Sequence, residues 1–195
     1  MLRRYRLALA LWICGMAMVF VAFISAAIVR RGIPAYESSA GAYSTQWESL
    51  PLPIPLLILD SGLLVANSLA LELARRRSQA FSRQSEVAVP DGLYSWMYAA
   101  IALSLAFLAG QAMVWRLLQA RGRTMSTGAR SAFFYLLTGA HALQIIAGVL
   151  VLGWIVARGP SWTPARRHIA TDLATWYFAA MTILWIVLLC FLLFV

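Results

Sequence analysis

Charge is what this chain has least of. Only 12% of its 195 residues are Asp, Glu, Lys or Arg, against roughly a quarter in ordinary soluble domains. Lysine is absent, so all sixteen basic residues are arginines, set against seven acids. Histidine and cysteine occur twice each, with no CxxC, HxxE or ExxH spacing. A disulfide framework or a metal cluster is therefore not expected. Glycine-rich phosphate loops, a GxSxG turn and paired carboxylates are missing as well, which removes the common signs of phosphate binding and hydrolysis. A bis-histidine haem needs axial ligands from facing helices, and only His141 falls in an apolar segment.

What is there instead is hydrocarbon. Hydrophobic residues make up 62% of the chain and the mean hydropathy is +0.77, values that place it among integral membrane proteins. The pI of about 10.6 and the net charge of +9 suit nucleic acid on paper. The arginines, however, lie between apolar runs, where they act as topology signals, so no nucleic-acid partner is expected.

Five apolar runs predict an all-α bundle in a single membrane domain, 1–195, with helices near 7–30, 53–74, 93–118, 131–157 and 170–194. The first follows MLRRYR and resembles a signal peptide. Its uncharged part, Leu7 to Val29, exceeds the usual 7 to 15 residues of a signal and ends in Arg30 and Arg31, so a spanning helix is expected. A polar loop with Tyr36, Tyr43 and Trp47 follows, suited to the membrane surface. Pro51, Pro53 and Pro55 stand where a second helix starts, the place where a missing N–H does least harm. Residues 78–91 read as a hydrophilic connection. Ten arginines fall on the side of the N-terminus and six on the other, which predicts a cytoplasmic N-terminus and a periplasmic C-terminus.

A few polar residues interrupt the hydrocarbon. In the fourth run Thr138, His141, Gln144 and Gly148 recur at steps of three and four, forming one stripe, while Leu136, Leu143, Ile146 and Leu150 spread over other faces. Unpaired polar groups in hydrocarbon are costly, so that stripe is expected to face protein. Asp60 lies inside the second run and Gln111 inside the third. Glu72 beside Arg75 and Arg76 reads as an ion pair at the membrane surface or part of a lipid head-group site. Asp172, just after Arg166 and Arg167, reads the same way, in company with those arginines, as a first-turn acid favourable to its own helix dipole. His141 is expected to bond a neighbouring helix through Asp60 or Glu72.

The stretch FFYLLTGAHALQIIAGVL resembles the fYlLTGlHalHVlgGl signature of the cytochrome c oxidase subunit III family. FISAAIVRRG, LDSGLLVANSLALELARR, GQAMVWRLLQARG and the closing DLATWYF segment are similar to further stretches of that family, in the same order. Five helices correspond to the shorter bacterial versions. There are departures: Gln144 replaces the second His of the HalH pair, Ala179 stands where YWHF has its His, and Met16 falls near the place of a buried Glu linked to proton uptake. A proton-antenna role is therefore not assigned.

The resemblance implies a non-catalytic accessory subunit of a respiratory oxidase in the bacterial inner membrane. It packs on subunit I, near subunit II and other respiratory-complex subunits, and holds phospholipid in a cleft between helices. Haem and copper are expected in partner subunits, with no catalytic, cofactor-binding or metal-ligating residue in this chain. The candidates for lipid or structural roles are His141 and Gln144, expected in the groove, with Asp60, Glu72, Arg75, Arg166, Arg167 and Asp172. A quinol oxidase or nitric oxide reductase component is the alternative, and a small transporter a more distant one.

Overall fold

A computed structural model describes residues 2–33, 35–37, 42–44, 47, 50–84 and 92–194. It consists of α1 (Leu2–Gly32), a two-stranded hairpin of β1 (Ala35–Glu37) and β2 (Ala42–Ser44), and then α2 (Ile54–Gln84), α3 (Leu93–Ala120), α4 (Ala129–Arg158) and α5 (Pro164–Phe194). All five helices are long and apolar enough to cross a bilayer. The hairpin, with Tyr36 opposite Tyr43, lies where the sequence reads as loop. Three-residue strands are too short to leave a pattern of alternation.

Three helices run well past their apolar runs, α1 starting at Leu2. α2 extends to Gln84 and α5 begins at Pro164, so Arg75 to Arg77 and Arg166 to His168 are helical. Hydropathy locates the part of a helix inside hydrocarbon, whereas Arg, Ala and Gln continue it readily beyond that boundary. Residues 85–91, the remainder of the predicted connection, lie outside the described residues. At the start of α5, Thr163 O accepts from Arg167 N at 3.0 Å and Pro164 takes the first helical position, where its fixed φ suits a helix. α3 ends in a Schellman motif. Arg123 N donates to Leu118 O and Gly122 N to Gln119 O, both at 2.9 Å, with Gly122 at φ +73°, a conformation glycine adopts without Cβ strain.

α2, α3, α4 and α5 enclose the core. Leu57, Leu64 and Leu71 of α2 repeat every seventh residue and are fully buried, as are Met97, Phe107 and Val114 of α3, Leu137 and Ile145 of α4, and Trp185 and Leu188 of α5. Ile58, Leu143 and Leu150 point outward, between 61% and 69% exposed, where lipid would meet them. Lipid tails are as apolar as leucine, so close packing and interhelical hydrogen bonds carry the association. Ser68 and Thr182 share a bond of 2.8 Å between α2 and α5, and Trp185 Nε1 donates to Ser61 Oγ at 3.0 Å. Trp115 Nε1 of α3 donates to Thr138 Oγ1 of α4 at 3.1 Å.

Candidate functional site

Among the described residues the ion pairs converge at the end of the bundle where α1 starts. Glu72, Arg75 and Arg76 occupy positions i, i+3 and i+4 of α2, neighbours on one helix face. Arg75 Nε and Nη2 donate to Glu72 at 2.7 and 2.9 Å, and Arg76 Nε donates to Glu72 Oε1 at 2.9 Å. Arg75 Nη1 also reaches Asp172 Oδ1 of α5 at 3.4 Å. That carboxylate, fully buried, is gripped from its other side by Arg6 of α1. Arg6 Nε donates to Oδ2 at 2.8 Å and Nη2 to Oδ1 at 2.6 Å, the two-pronged geometry that a guanidinium offers a carboxylate. Arg6 also lies 5.9 Å from the centroid of the Trp176 ring, one turn along α5.

Three arginines share two carboxylates in this chain of contacts, which leaves it net positive. Beside it lies a cavity of about 260 Å³ lined by Arg3, Arg6, Leu7, Leu9, Ala10, Ile13 and Trp176. A groove of about 440 Å³ adjoins it at Leu9 and runs between α1, α4 and α5, past Trp12, Met16, Gly148, Val151, Ala174, Tyr177 and Phe178. Gly148 lets α4 and α5 approach closely beside that groove: a Cβ there would stand 2.8 Å from Tyr177 Cε1. Met16 forms part of the wall. Basic groups at the rim and an apolar channel beneath match the two halves of a phospholipid.

Several sequence expectations rearrange around this geometry. Glu72 and Arg75 pair as expected. Asp172 is the ninth residue of α5 rather than a first-turn acid, and it pairs with Arg6 and Arg75 instead of Arg166 and Arg167. Five and six positions back along a helix point about 120–140° away, so neither arginine shares its face. Arg166 lies over the Trp162 ring, 4.5 Å from its centroid. Arg167, only 3% exposed, donates to Trp162 O at 3.2 Å.

His141 lies in the interior rather than in the groove, and it bonds neither Asp60 nor Glu72. Both its ring nitrogens are buried without a hydrogen-bond partner. The ring packs against Phe107 at 5.8 Å, edge to face, and against Trp185 at 5.3 Å. Asp60 instead accepts from Gln111 Nε2 at 2.8 Å. Gln144 lies outside the groove lining; its main-chain carbonyl accepts from Tyr177 Oη at 2.8 Å. Among the described residues, no three His, Cys, Asp or Glu side chains gather as metal ligands.

Arg6 is the functional residue that sequence reasoning missed. In the RRYR run it reads as a topology signal, and nothing local ties it to an acid 166 positions away. The one available hint is its place at the base of a helix, from which a long side chain can reach inward along the membrane surface.

Comparison with known proteins supplies the family. The chain matches cytochrome c oxidase subunit III over residues 2–195. It is 32% identical over 99 residues to a probable cytochrome c oxidase subunit 3 of Mycobacterium bovis, covering 50% of this chain and 48% of that protein. It is 26% identical over 144 residues to a probable cytochrome c oxidase subunit 3 of Nocardia farcinica, covering 71% and 66% respectively. A cytochrome c oxidase subunit 3 of Thermostichus vulcanus is 27% identical over 99 residues, again 50% of this chain and 48% of the relative. The chain thus spans about half the length of the mycobacterial relative. Five spanning helices, the order of the shared stretches and a match along the entire chain lead to one conclusion: the chain belongs to the cytochrome c oxidase subunit III family.

Proposed function

We propose that this chain is the non-catalytic subunit III of a respiratory haem-copper oxidase in a bacterial inner membrane. In this reading it packs on subunit I, stands near subunit II and other respiratory-complex subunits, and stabilises the complex during aerobic electron transport. Haem and copper belong to the partner subunits. The observation that carries the reading is the family match over residues 2–195.

Phospholipid is the ligand this chain itself would hold. The amphipathic slot supports that assignment, with Arg3 and Arg6 at its rim and the groove beneath running to Tyr177 and Phe178. Guanidinium groups meet phosphate oxygens in a fork, and acyl chains fill a groove without polar cost. In this reading the rim lies at the cytoplasmic leaflet, where anionic head groups are held by basic residues; the excess of arginine on the N-terminal side supports that orientation.

The test is recovery of the tagged chain from its native membrane in mild detergent, with haem spectroscopy, identification of accompanying polypeptides and lipid analysis. The expected result is co-purification with haem- and copper-bearing subunits and with bound phospholipid. A chain that purifies alone and moves a solute in vesicles overturns the proposal. Partners of a quinol oxidase would change only the electron donor, whereas those of a nitric oxide reductase would overturn the oxidase assignment.

A further inference from the structure

Away from the charged end, the packing of α2 against α3 closes around a second carboxyl group. Asp60, the seventh residue of α2, is 1% exposed. Gly110 of α3 faces it so closely that a Cβ built there would collide with Asp60 Oδ1. Gln111, equally buried, donates from Nε2 to Asp60 Oδ2 at 2.8 Å. The other two oxygens of the pair, Asp60 Oδ1 and Gln111 Oε1, are buried and receive no donor.

Among the described residues no cation pairs with this acid: the ion pairs gather around Glu72 and Asp172, and Arg75 lies fifteen residues along α2, about 22 Å at 1.5 Å per residue. α2 packs against α3 and α5. At the level of Asp60 those helices present Gln111, Phe107 and Trp185, and their titratable groups near α2, Asp172 and His168, lie at the Arg75 end. His141 of α4 stands beyond the Phe107 and Trp185 rings, in contact with both.

We propose that Asp60 is a proton-binding site inside the bundle, a neutral carboxylic acid paired with the Gln111 amide. Both orphaned oxygens are acceptors, and an ionised carboxylate supplies no donor to either. A single proton on Oδ1 supplies the missing donor and gives the reciprocal pattern of a carboxylic acid with a primary amide, N–H to Oδ2 and O–H toward Oε1. It also removes a charge from a position that is 1% exposed inside the bundle and has no ion-pair partner among the described residues, where isolated charge is costly. Binding involves only the proton; no bond between heavy atoms changes.

Infrared spectroscopy of the intact assembly tests this. The wild-type minus Asp60→Asn difference spectrum at neutral pH should show one protonated-carboxyl C=O band that shifts in deuterium oxide. A pair of carboxylate bands in its place overturns the proposal. Gln111→Leu serves as the second arm and keeps the acid in place. There the band should move to the higher frequency of a carboxyl that has lost its hydrogen-bond partner, and an unmoved band would show that the amide is not its partner. Should Asp60→Asn fail to assemble, the Gln111→Leu shift still decides the matter.

Discussion

α1 and α2 are both thirty-one residues long, yet the bundle holds them in different ways. α2 buries Leu57, Leu64, Ala70, Leu71 and Ala74 together with Asp60 and Asn67, whereas the described part of α1 buries only Phe20 and Ala27. Leu11, Trp12 and Met18 of α1 are between 62% and 75% exposed. α2 is fastened by continuous packing and α1 by two buried points plus the Arg6–Asp172 fork. A loosely seated helix leaves room beside itself: the groove exists because α1 stands off from α4 and α5 along Leu9, Trp12 and Met16.

Substitutions can break that contrast. Asp172→Ala should have the largest effect, since it strips Arg6 and Arg75 of a shared buried acceptor. About 3 kcal/mol of stability is expected to go, read as a lower unfolding temperature of the assembly. Hydrogen exchange should rise in α1 well before α2. An equal rise in both helices would abolish the distinction.

Gly148→Leu comes next, at about 2 kcal/mol from overpacking against Tyr177 and Phe178. The added side chain has no room between α4 and α5 and must displace the Tyr177 and Phe178 rings that line the groove. Phospholipid recovered with the assembly should fall while the Arg6–Asp172 contact stays intact, and an unchanged lipid content would separate the groove from lipid binding.

Arg6→Ala should cost about 1 kcal/mol, because Asp172 keeps Arg75 and because the Arg6 side chain is 41% exposed. Its signature is faster exchange confined to the first turns of α1. Arg76→Ala closes the series at about 0.3 kcal/mol, as its pair with Glu72 is 71% exposed on the arginine side. A thermal shift comparable to that of Arg6→Ala would mean that the charges act as one network instead of a tether on α1.

Much of α4 was readable in advance. Thr138, His141 and Gly148 share the buried stripe that steps of three and four predicted, while Leu136, Leu143, Ile146 and Leu150 are exposed. Gln144, only partly buried, marks the stripe's edge. Helical geometry is enough for that much. The partner of His141 was not readable: a polar residue in hydrocarbon invites a search for a hydrogen bond, but the ring lies among Phe107 and Trp185. Glu72 with Arg75 was legible because one helix turn joins them. Asp172 with Arg6 was not, because the nearest basic residues in sequence, Arg166 and Arg167, lie on other faces of α5.

Residue order alone established five membrane crossings, the placement of arginine at their ends and kinship with an oxidase subunit, because apolar length, charge position and motif order are properties of short segments. Assembly of the helices settled which carboxylate meets which guanidinium, where α1 leaves a groove, and that Asp60 faces Gln111. Those outcomes depend on which faces of distant segments come within about 3 Å of each other, a distance that no local pattern encodes.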